Sequence, residues 1–173
     1  PLPGVRVRAV DSAGRPVPAG EIGELSVRGG NVTMGYVDDP ELTATVLRDG
    51  WLATGDLGTV DGDSAVRILD RRKDVILRGG VNVFSVQVEA VLRTAPGVRE
   101  AAVYGIPDEL GGEAVAAAVV LADAATLDVA GLRTLVGREL GISAVPRRVQ
   151  RVERLPRNAN GKVDKRRLRN DQP

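Results

Sequence analysis

The longest apolar run of the chain, EAVAAAVVLAD at residues 113–123, constrains its fold more than any other segment. Apolar residues fill this run without alternating with polar ones, which is typical of a strand buried on both faces. The run is far shorter than the ~18 residues of a membrane span, and no signal-peptide pattern opens the chain. The sequence therefore predicts a soluble, cytoplasmic protein with a buried strand at its centre.

The segments around this strand predict a compact α+β domain. A helix at 85–97 has Ser85 as its predicted N-cap, and a second helix at 128–140 has Asp128. The other predicted elements are a strand pair at 71–84 bent at Gly79-Gly80, a strand at 98–108, an edge strand at 147–156 and a short helix at 164–169. The order β-β-α-β-β-α-β-α describes a small mixed domain of about 100 residues, with a short hairpin and a central three-stranded sheet flanked by helices.

The preceding segment predicts a small, mostly β unit. Alternating apolar residues indicate strands at 4–10, 23–29, 51–61 and 64–70. A short helix at 39–47 interrupts them, with Asp38 or Asp39 as its cap and Pro40 in its first turn. We place the boundary between the two parts near Asp70 to Lys73, which gives domains of 1–72 and 73–173.

Two missing residue types exclude whole classes of chemistry. The chain has no Cys, so it has neither a disulfide framework nor a thiolate metal site or nucleophile. It has no His, which removes the Ser-His-Asp triad and the usual general base. Any chemistry must come from Lys, Arg, Asp, Glu, hydroxyls and backbone amides, and no metal site is expected.

Basic residues concentrate between Arg147 and Arg169, where Glu153 and Asp164 are the only acidic ones. Such a charge distribution indicates either a solvated basic face or a surface for phosphate-bearing ligands. No base-reading motif accompanies the charge, and four aromatic residues offer few platforms for base stacking. We therefore expect no nucleic-acid partner.

Four collinear segments resemble one protein family. They are PAGEIGELSVRGGNVTMGYVDDPELTATVLRDGWLATGDLG (18–58), DRRKDVILRGGVNVFSVQVEAVL (70–92), AAVYGIPDELGGEAVAAAVVL (101–121) and VPRRVQRVERLPRNANGKVDKRRLR (145–169). In order and spacing they are similar to the C-terminal portion of acyl-CoA synthetases, the AMP-dependent ligases of the adenylate-forming (ANL) superfamily. The resemblance covers nearly the whole chain.

This resemblance implies an enzyme with a large N-terminal domain, whose end corresponds to 1–72, and a small mobile C-terminal domain at 73–173. Members use ATP with Mg²⁺ to convert a carboxylic acid into an acyl-AMP, and then pass the acyl group to CoA or to the phosphopantetheine of a carrier protein. The family's phosphate loop, adenine-binding strand and most of its acyl pocket have no counterpart in this sequence. We therefore expect a fragment that is inactive without the N-terminal domain.

The resemblance also implies roles for three residues around the boundary. Asp56 in ATGDLG and Arg71 match residues that bind the ribose of the nucleotide, and a carboxylate can accept two hydrogen bonds from a ribose diol. The structural alternatives are a turn-stabilising Asp and a surface ion pair, which is worth roughly 0–1 kcal/mol. Lys73 matches the family's hinge residue; the alternative is an ordinary exposed lysine.

Gly79 and Gly80 match the hairpin that lines the pantetheine tunnel in this family. Glycine allows a backbone to approach a ligand closely, although a plain hairpin turn explains the pair as well. Many relatives carry Pro where this chain has Ser85. Glu89 matches a helical glutamate, for which we predict a structural role.

Lys162 follows Gly161 in LPRNANGKVDKRRLR, a segment expected to be flexible. When a carboxylate attacks the α-phosphate of ATP, two anions approach each other, and an ammonium positioned over both lowers that repulsion in the transition state. The resemblance implies that the matching lysine is needed for adenylation and leaves when the small domain rotates. The alternative is one more lysine in a basic tail.

Arg147, Arg148 and Arg151 are candidates for contacts with the 3′-phosphate of CoA or with an acidic carrier protein, and a solvated face is the alternative. The hinge and lysine segments favour CoA as the acceptor over a carrier protein. A non-catalytic module that binds a carrier or a partner chain is a third hypothesis.

Overall fold

The computed structural model describes residues 1–109, 112–123 and 125–170. Contacts between residues divide the chain into two compact units, Pro1–Lys73 and Asp74–Pro173. No helix in these described ranges has both the length and the apolar character that a membrane crossing requires.

The first unit is an antiparallel sheet with one short helix. Its elements are β1 (Arg6–Val10), β2 (Gly23–Arg28), α1 (Pro40–Val46), β3 (Leu47–Arg48), β4 (Trp51–Val60) and β5 (Val66–Arg71). The strand order is β1-β2-β4-β3, and β5 also pairs with β4. Of the two predicted caps of α1, Asp39 is the one used, since its Oδ1 accepts a hydrogen bond of 2.9 Å from the backbone N–H of Leu42. The short strand β3 was not expected from the sequence.

The second unit has the predicted element order and confirms the α+β fold class. Its elements are β6 (Ile76–Arg78), β7 (Val81–Val83), α2 (Ser85–Arg93), β8 (Val98–Pro107), β9 (Glu113–Leu121), α3 (Val129–Leu140), β10 (Arg148–Arg151) and α4 (Lys165–Asn170). Strands β6 and β7 form a separate hairpin. In the three-stranded sheet, β9 lies between antiparallel β8 and parallel β10.

Strand β9 is buried on both faces, as its apolar sequence predicts. Its residues Ala114 to Leu121 are all buried. Val115 and Val119 belong to a core cluster with apolar residues of α2 and α3, whereas Ala116 and Ala118 belong to a second cluster with Leu168 of α4. Because side chains alternate along a strand, β9 contributes to both cores at once.

Helix α3 begins as predicted, with Asp128 as its N-cap. The Asp128 Oδ1 accepts a 2.8 Å hydrogen bond from the backbone N–H of Gly131. We expect Asp128→Ala to lower the free energy of unfolding of the second unit by about 1 kcal/mol, because a helical N–H loses its acceptor. Urea unfolding followed by circular dichroism measures this change. Asp128→Asn keeps a side-chain oxygen and should retain most of the stability, whereas an undiminished alanine variant would contradict the capping role.

The start of α2 differs from the prediction. Phe84 is its N-cap residue and makes no side-chain capping hydrogen bond, so the prediction that Ser85 caps this helix was wrong. Ser85 is fully buried, and its hydroxyl accepts a 2.7 Å hydrogen bond from the ammonium of Lys165. The Ser85 oxygen therefore accepts from Lys165, which is distant in sequence, instead of capping the start of α2.

Candidate functional site

The structure brings the two predicted nucleotide residues of the first unit together. Asp56 of β4 lies opposite Arg71 of β5 in the sheet register. The Nε of Arg71 lies 2.7 Å from Oδ1 of Asp56, and the two side chains are 51% and 23% exposed. A carboxylate that accepts and a guanidinium that donates therefore stand side by side at an accessible position.

An irregularity in the strand pairing creates this match. The register between β4 and β5 shifts by one residue between Leu57 and Gly58, so that Asp56 meets Arg71 instead of Asp70. Gly58 is required there, because a Cβ at this position would collide with the backbone carbonyl of Arg67. Asp70, the residue before Arg71 in β5, is buried, and its Oδ1 accepts a 2.7 Å hydrogen bond from the backbone N–H of Arg71.

Lys73 is the last residue of the first unit and is exposed. It lies in a single 3-10 turn, Arg72–Asp74, that follows β5 directly. Its neighbour Arg72 pairs with Glu24 of β2 at 3.1 Å. The assignment of Lys73 as the hinge remains a prediction.

Gly79 and Gly80 form the turn between β6 and β7. Their φ angles are +55° and +82°, and left-handed backbone at both central positions favours glycine strongly in a two-residue hairpin. Next to the turn, Arg78 donates hydrogen bonds to the carbonyls of Ile142, Ser143 and Val145 at 3.2, 3.1 and 2.9 Å. The hairpin is therefore fixed to the segment after α3, and the role of the two glycines in a pantetheine tunnel remains a prediction.

Lys162 is exposed, and its ammonium has no hydrogen bond or ion pair with any described residue. The residues that present it form a tight, hydrogen-bonded turn; the flexibility that the sequence suggested remains a prediction. Asn158 closes this turn: its Oδ1 accepts from the backbone N–H groups of Asn160 and Lys162, both at 3.0 Å. The backbone N–H of Asn158 donates to the carbonyl of Lys162 at 2.8 Å, and Gly161 adopts a φ of +76°.

The three candidate arginines do not form one free cluster. Arg147 pairs with Asp108, with a distance of 3.0 Å between its Nη1 and Oδ1. Arg148 and Arg151 are the two ends of β10, and residues three apart in a strand point to opposite faces. Arg151 is exposed and Arg148 is half-buried. Contact of these arginines with CoA or a carrier remains a prediction.

A second lysine has a role that sequence reasoning missed. The ammonium of Lys165 lies 2.7 Å from Oε1 of Glu89, and both side chains are nearly buried, at 14% and 13% exposed. The same carboxylate oxygen accepts a 2.9 Å hydrogen bond from the backbone N–H of Val103. This contact connects α4, α2 and β8. Glu89 was predicted to be structural, but nothing in the sequence identified its partner 76 residues away.

The described ranges contain no group of three or more acidic side chains that could hold a metal ion. What they offer is an exposed ammonium on a tight turn in one unit, and a carboxylate beside a guanidinium in the other. These are donors and acceptors suited to the phosphate and ribose groups of a nucleotide. The described residues thus define an α+β domain that displays an exposed lysine, and a separate β-rich unit with an accessible ion pair.

Comparison with known proteins identifies the family. Residues 87–162 match the family model of the AMP-binding enzyme C-terminal domain. Feruloyl-CoA synthase from Amycolatopsis sp. is 45% identical over 157 residues, which are 91% of this chain and 32% of that protein. Residues 87–162 therefore belong to the AMP-binding enzyme C-terminal domain family, and the resemblance seen in the sequence is confirmed.

Solved structures of similar proteins have the same fold as this chain. The amide bond synthetase McbA from Marinactinospora thermotolerans superposes with a TM-score of 0.92 at 48% identity, covering 98% of this chain and 34% of that one. ATP-bound MatB from Rhodopseudomonas palustris gives a TM-score of 0.90 at 42% identity, with coverages of 98% and 34%. The chain thus spans about a third of the length of the relatives that it matches.

Proposed function

We propose that this chain works as part of an AMP-forming acid–thiol ligase, an acyl-CoA synthetase. In the first half-reaction a carboxylate oxygen attacks the α-phosphorus of ATP, and the bond to pyrophosphate breaks. In the second, the sulfur of CoA attacks the acyl carbonyl, AMP leaves, and the thiol proton passes to solvent. The observation that carries the proposal is the exposed ammonium of Lys162, which has no partner among the described residues, on a hydrogen-bonded turn of a family domain.

Lys162 supplies positive charge in the first half-reaction. The attacking carboxylate and the α-phosphate are both anionic, and their repulsion is greatest when the new bond forms. An ammonium that pairs with no carboxylate of the described residues can interact with both groups at that moment. Its tight turn holds the backbone still, so that only the flexible side chain has to be ordered.

Asp56 and Arg71 bind the ribose of the nucleotide in this proposal. The Asp56 carboxylate accepts hydrogen bonds from the ribose hydroxyls, and Arg71 holds that carboxylate in place from the adjacent strand at 2.7 Å. Lys73 acts as the hinge, in keeping with its place at the end of the first unit. Gly79 and Gly80 line the pantetheine path. The exposed Arg151 contacts the phosphates of CoA or an acidic carrier, whereas Arg148 points to the opposite face of β10 and Arg147 is already paired with Asp108. ATP brings its own Mg²⁺.

We expect Asp56→Ala to raise the KM for ATP by about tenfold or more in the complete enzyme, since a hydrogen bond to a charged group is worth about 1.5–3 kcal/mol. Arg71→Ala should act in the same direction, because it releases the carboxylate from its partner. Initial-rate kinetics with varied ATP measure the effect. Arg72→Ala, one residue along, removes a different ion pair and is the matched control. An equal rise in KM in this control would contradict the assignment.

The proposal is tested by pyrophosphate exchange of the complete enzyme with a panel of aryl and alkyl carboxylic acids. Acid-dependent exchange supports it, and no exchange with any acid would overturn it.

The acceptor is then identified by supplying CoA, a phosphopantetheinylated carrier protein or an amine to the adenylate-loaded enzyme. We expect CoA to react fastest; transfer to the carrier or the amine alone would overturn the assignment as an acyl-CoA synthetase. Saturable binding of carrier protein by this chain, without exchange in the complete enzyme, would support a binding module instead.

An amine acceptor is included because of one observation. McbA, an amide bond synthetase, is 48% identical to this chain over 98% of the chain's length. Feruloyl-CoA synthase is similar to a comparable degree, at 45%. Because the adenylation half-reaction is the same for both acceptors, the roles of Lys162, Asp56 and Arg71 do not depend on this choice.

A further inference from the structure

We propose that Arg157 is a positioning residue for Lys162 and that it acts by fixing the lysine turn to strand β8. This inference rests on the proposed function of Lys162 in adenylation. The Nη1 of Arg157 donates a 3.0 Å hydrogen bond to the backbone carbonyl of Gly161, the residue before Lys162. Its Nη2 lies 2.6 Å from Oε2 of Glu100, which belongs to β8. One guanidinium therefore connects the turn to the central sheet.

The turn depends on this connection because its other hydrogen bonds are internal. Asn158 closes the turn through its side chain and its backbone, and both contacts stay within 158–162. The strand-like bridge from Arg157 to Val163 fixes only the base of the turn. Without the guanidinium, the internal hydrogen bonds of the turn would open more often, and the turn could rock about this base. The ammonium at its tip would then move relative to β8.

Arginine suits this task better than lysine. A guanidinium presents several N–H donors in a rigid plane, so that one end can hold the Gly161 carbonyl while the other holds the Glu100 carboxylate. An ammonium in the same place could satisfy one partner at a time. The side chains of Arg157 and Glu100 are 50% and 41% exposed, so the pair contributes little to overall stability and its loss should not unfold the domain.

The expected effect is on the rate of adenylation. An exposed ion pair is worth little, but a small displacement of a catalytic group can reduce a rate many-fold. We expect Arg157→Gln to lower kcat for pyrophosphate exchange about tenfold, with the KM for ATP nearly unchanged, because Asp56 and Arg71 still bind the nucleotide. Glu100→Ala should lower it by a smaller factor, and Arg157→Lys should recover part of the loss.

A double-mutant comparison tests the positioning role directly. In a Lys162→Ala background, Arg157→Gln should cause no further loss of exchange, because no ammonium remains to be positioned. Arg154→Gln is the control; Arg154 is exposed and has no partner among the described residues. A tenfold loss from Arg157→Gln that persists in the Lys162→Ala background would overturn the proposal, as would an equal loss in the thioester half-reaction.

Hydrogen exchange on this chain gives a readout that does not depend on activity. Arg157→Gln should speed exchange of the Gly161 and Lys162 amides by about three- to tenfold, while Arg154→Gln leaves them unchanged. Unchanged amide exchange in Arg157→Gln would overturn the proposal. If the proposed function of Lys162 is wrong, the results differ from this. The Lys162→Ala enzyme would then keep its pyrophosphate exchange activity, while the Gly161 and Lys162 amides of Arg157→Gln would still show faster hydrogen exchange.

Discussion

Lys162→Ala is expected to lower acid-dependent pyrophosphate exchange of the complete enzyme by about 100- to 1,000-fold, the usual effect of removing one group that stabilises transition-state charge. The loss should be large because Lys162 is the only lysine within the described residues 158–164, so that no neighbouring ammonium can replace it. Thioester formation from a supplied acyl adenylate and CoA should change by less than about twofold, because the α-phosphate has already reacted. Quenched-flow measurement of both half-reactions separates the two effects.

Two control variants distinguish catalysis from general basic charge. Arg166→Ala removes an exposed cation four residues away, and it should leave both half-reactions within about twofold of the parent enzyme. Lys162→Arg keeps the charge but replaces a compact ammonium with a planar fork, so most of the loss should remain. If Arg166→Ala were as damaging as Lys162→Ala, or if both half-reactions fell together, Lys162 would be one charge in a basic face.

Most of the second unit could be predicted because its signals are local. The apolar run of β9 has no alternation, and the structure buries it on both faces. Asp128 stands immediately before an amphipathic segment and caps it. Gly79-Gly80 between two short apolar segments gives the hairpin. In each case the residues that decide the conformation lie within a few positions of one another, so the sequence contains the whole argument.

The remaining features depend on contacts that are distant in sequence or on a shifted register. Counted from the turn at Asp61, regular pairing would place Asp56 opposite Asp70; only the shift beside Gly58 brings it to Arg71. Ser85 has the composition of a cap, but its hydroxyl is used by Lys165, 80 residues later. Neither partner choice has a local signal, because each is decided by how the chain packs.

The two lysines of GKVDK differ in burial and in partners because of tertiary packing. They are three residues apart, and both lie in the same basic segment. Lys162 is exposed without a described partner, whereas Lys165 is nearly buried between Glu89 and Ser85. The sequence alone gives both the same alternatives of catalysis or surface charge. The structure separates them, and their substitutions should therefore have opposite consequences for stability and activity.

Lys165→Met is expected to lower the free energy of unfolding of the second unit by about 2–3 kcal/mol, since removing one partner leaves the nearly buried Glu89 carboxylate uncompensated. For a unit of this size, the melting temperature should fall by about 10–20 °C. Urea unfolding and differential scanning calorimetry of this chain measure both quantities. Glu89→Gln should cost less, because its amide oxygen still accepts from Lys165 and from the backbone N–H of Val103.

Combining the two changes tests whether the ion pair itself is the cause. In Glu89→Gln/Lys165→Met no uncompensated charge remains, so the combined loss should be smaller than the sum of the single losses.

Lys162→Ala should change the free energy of unfolding by less than about 0.5 kcal/mol, as for other surface substitutions. At a temperature where Lys165→Met is still folded, the complete enzyme with this change should retain adenylation, because Lys162 and its turn are intact. Loss of adenylation in a folded Lys165→Met enzyme would contradict the division of roles, since the buried lysine would then act in catalysis as well as in packing.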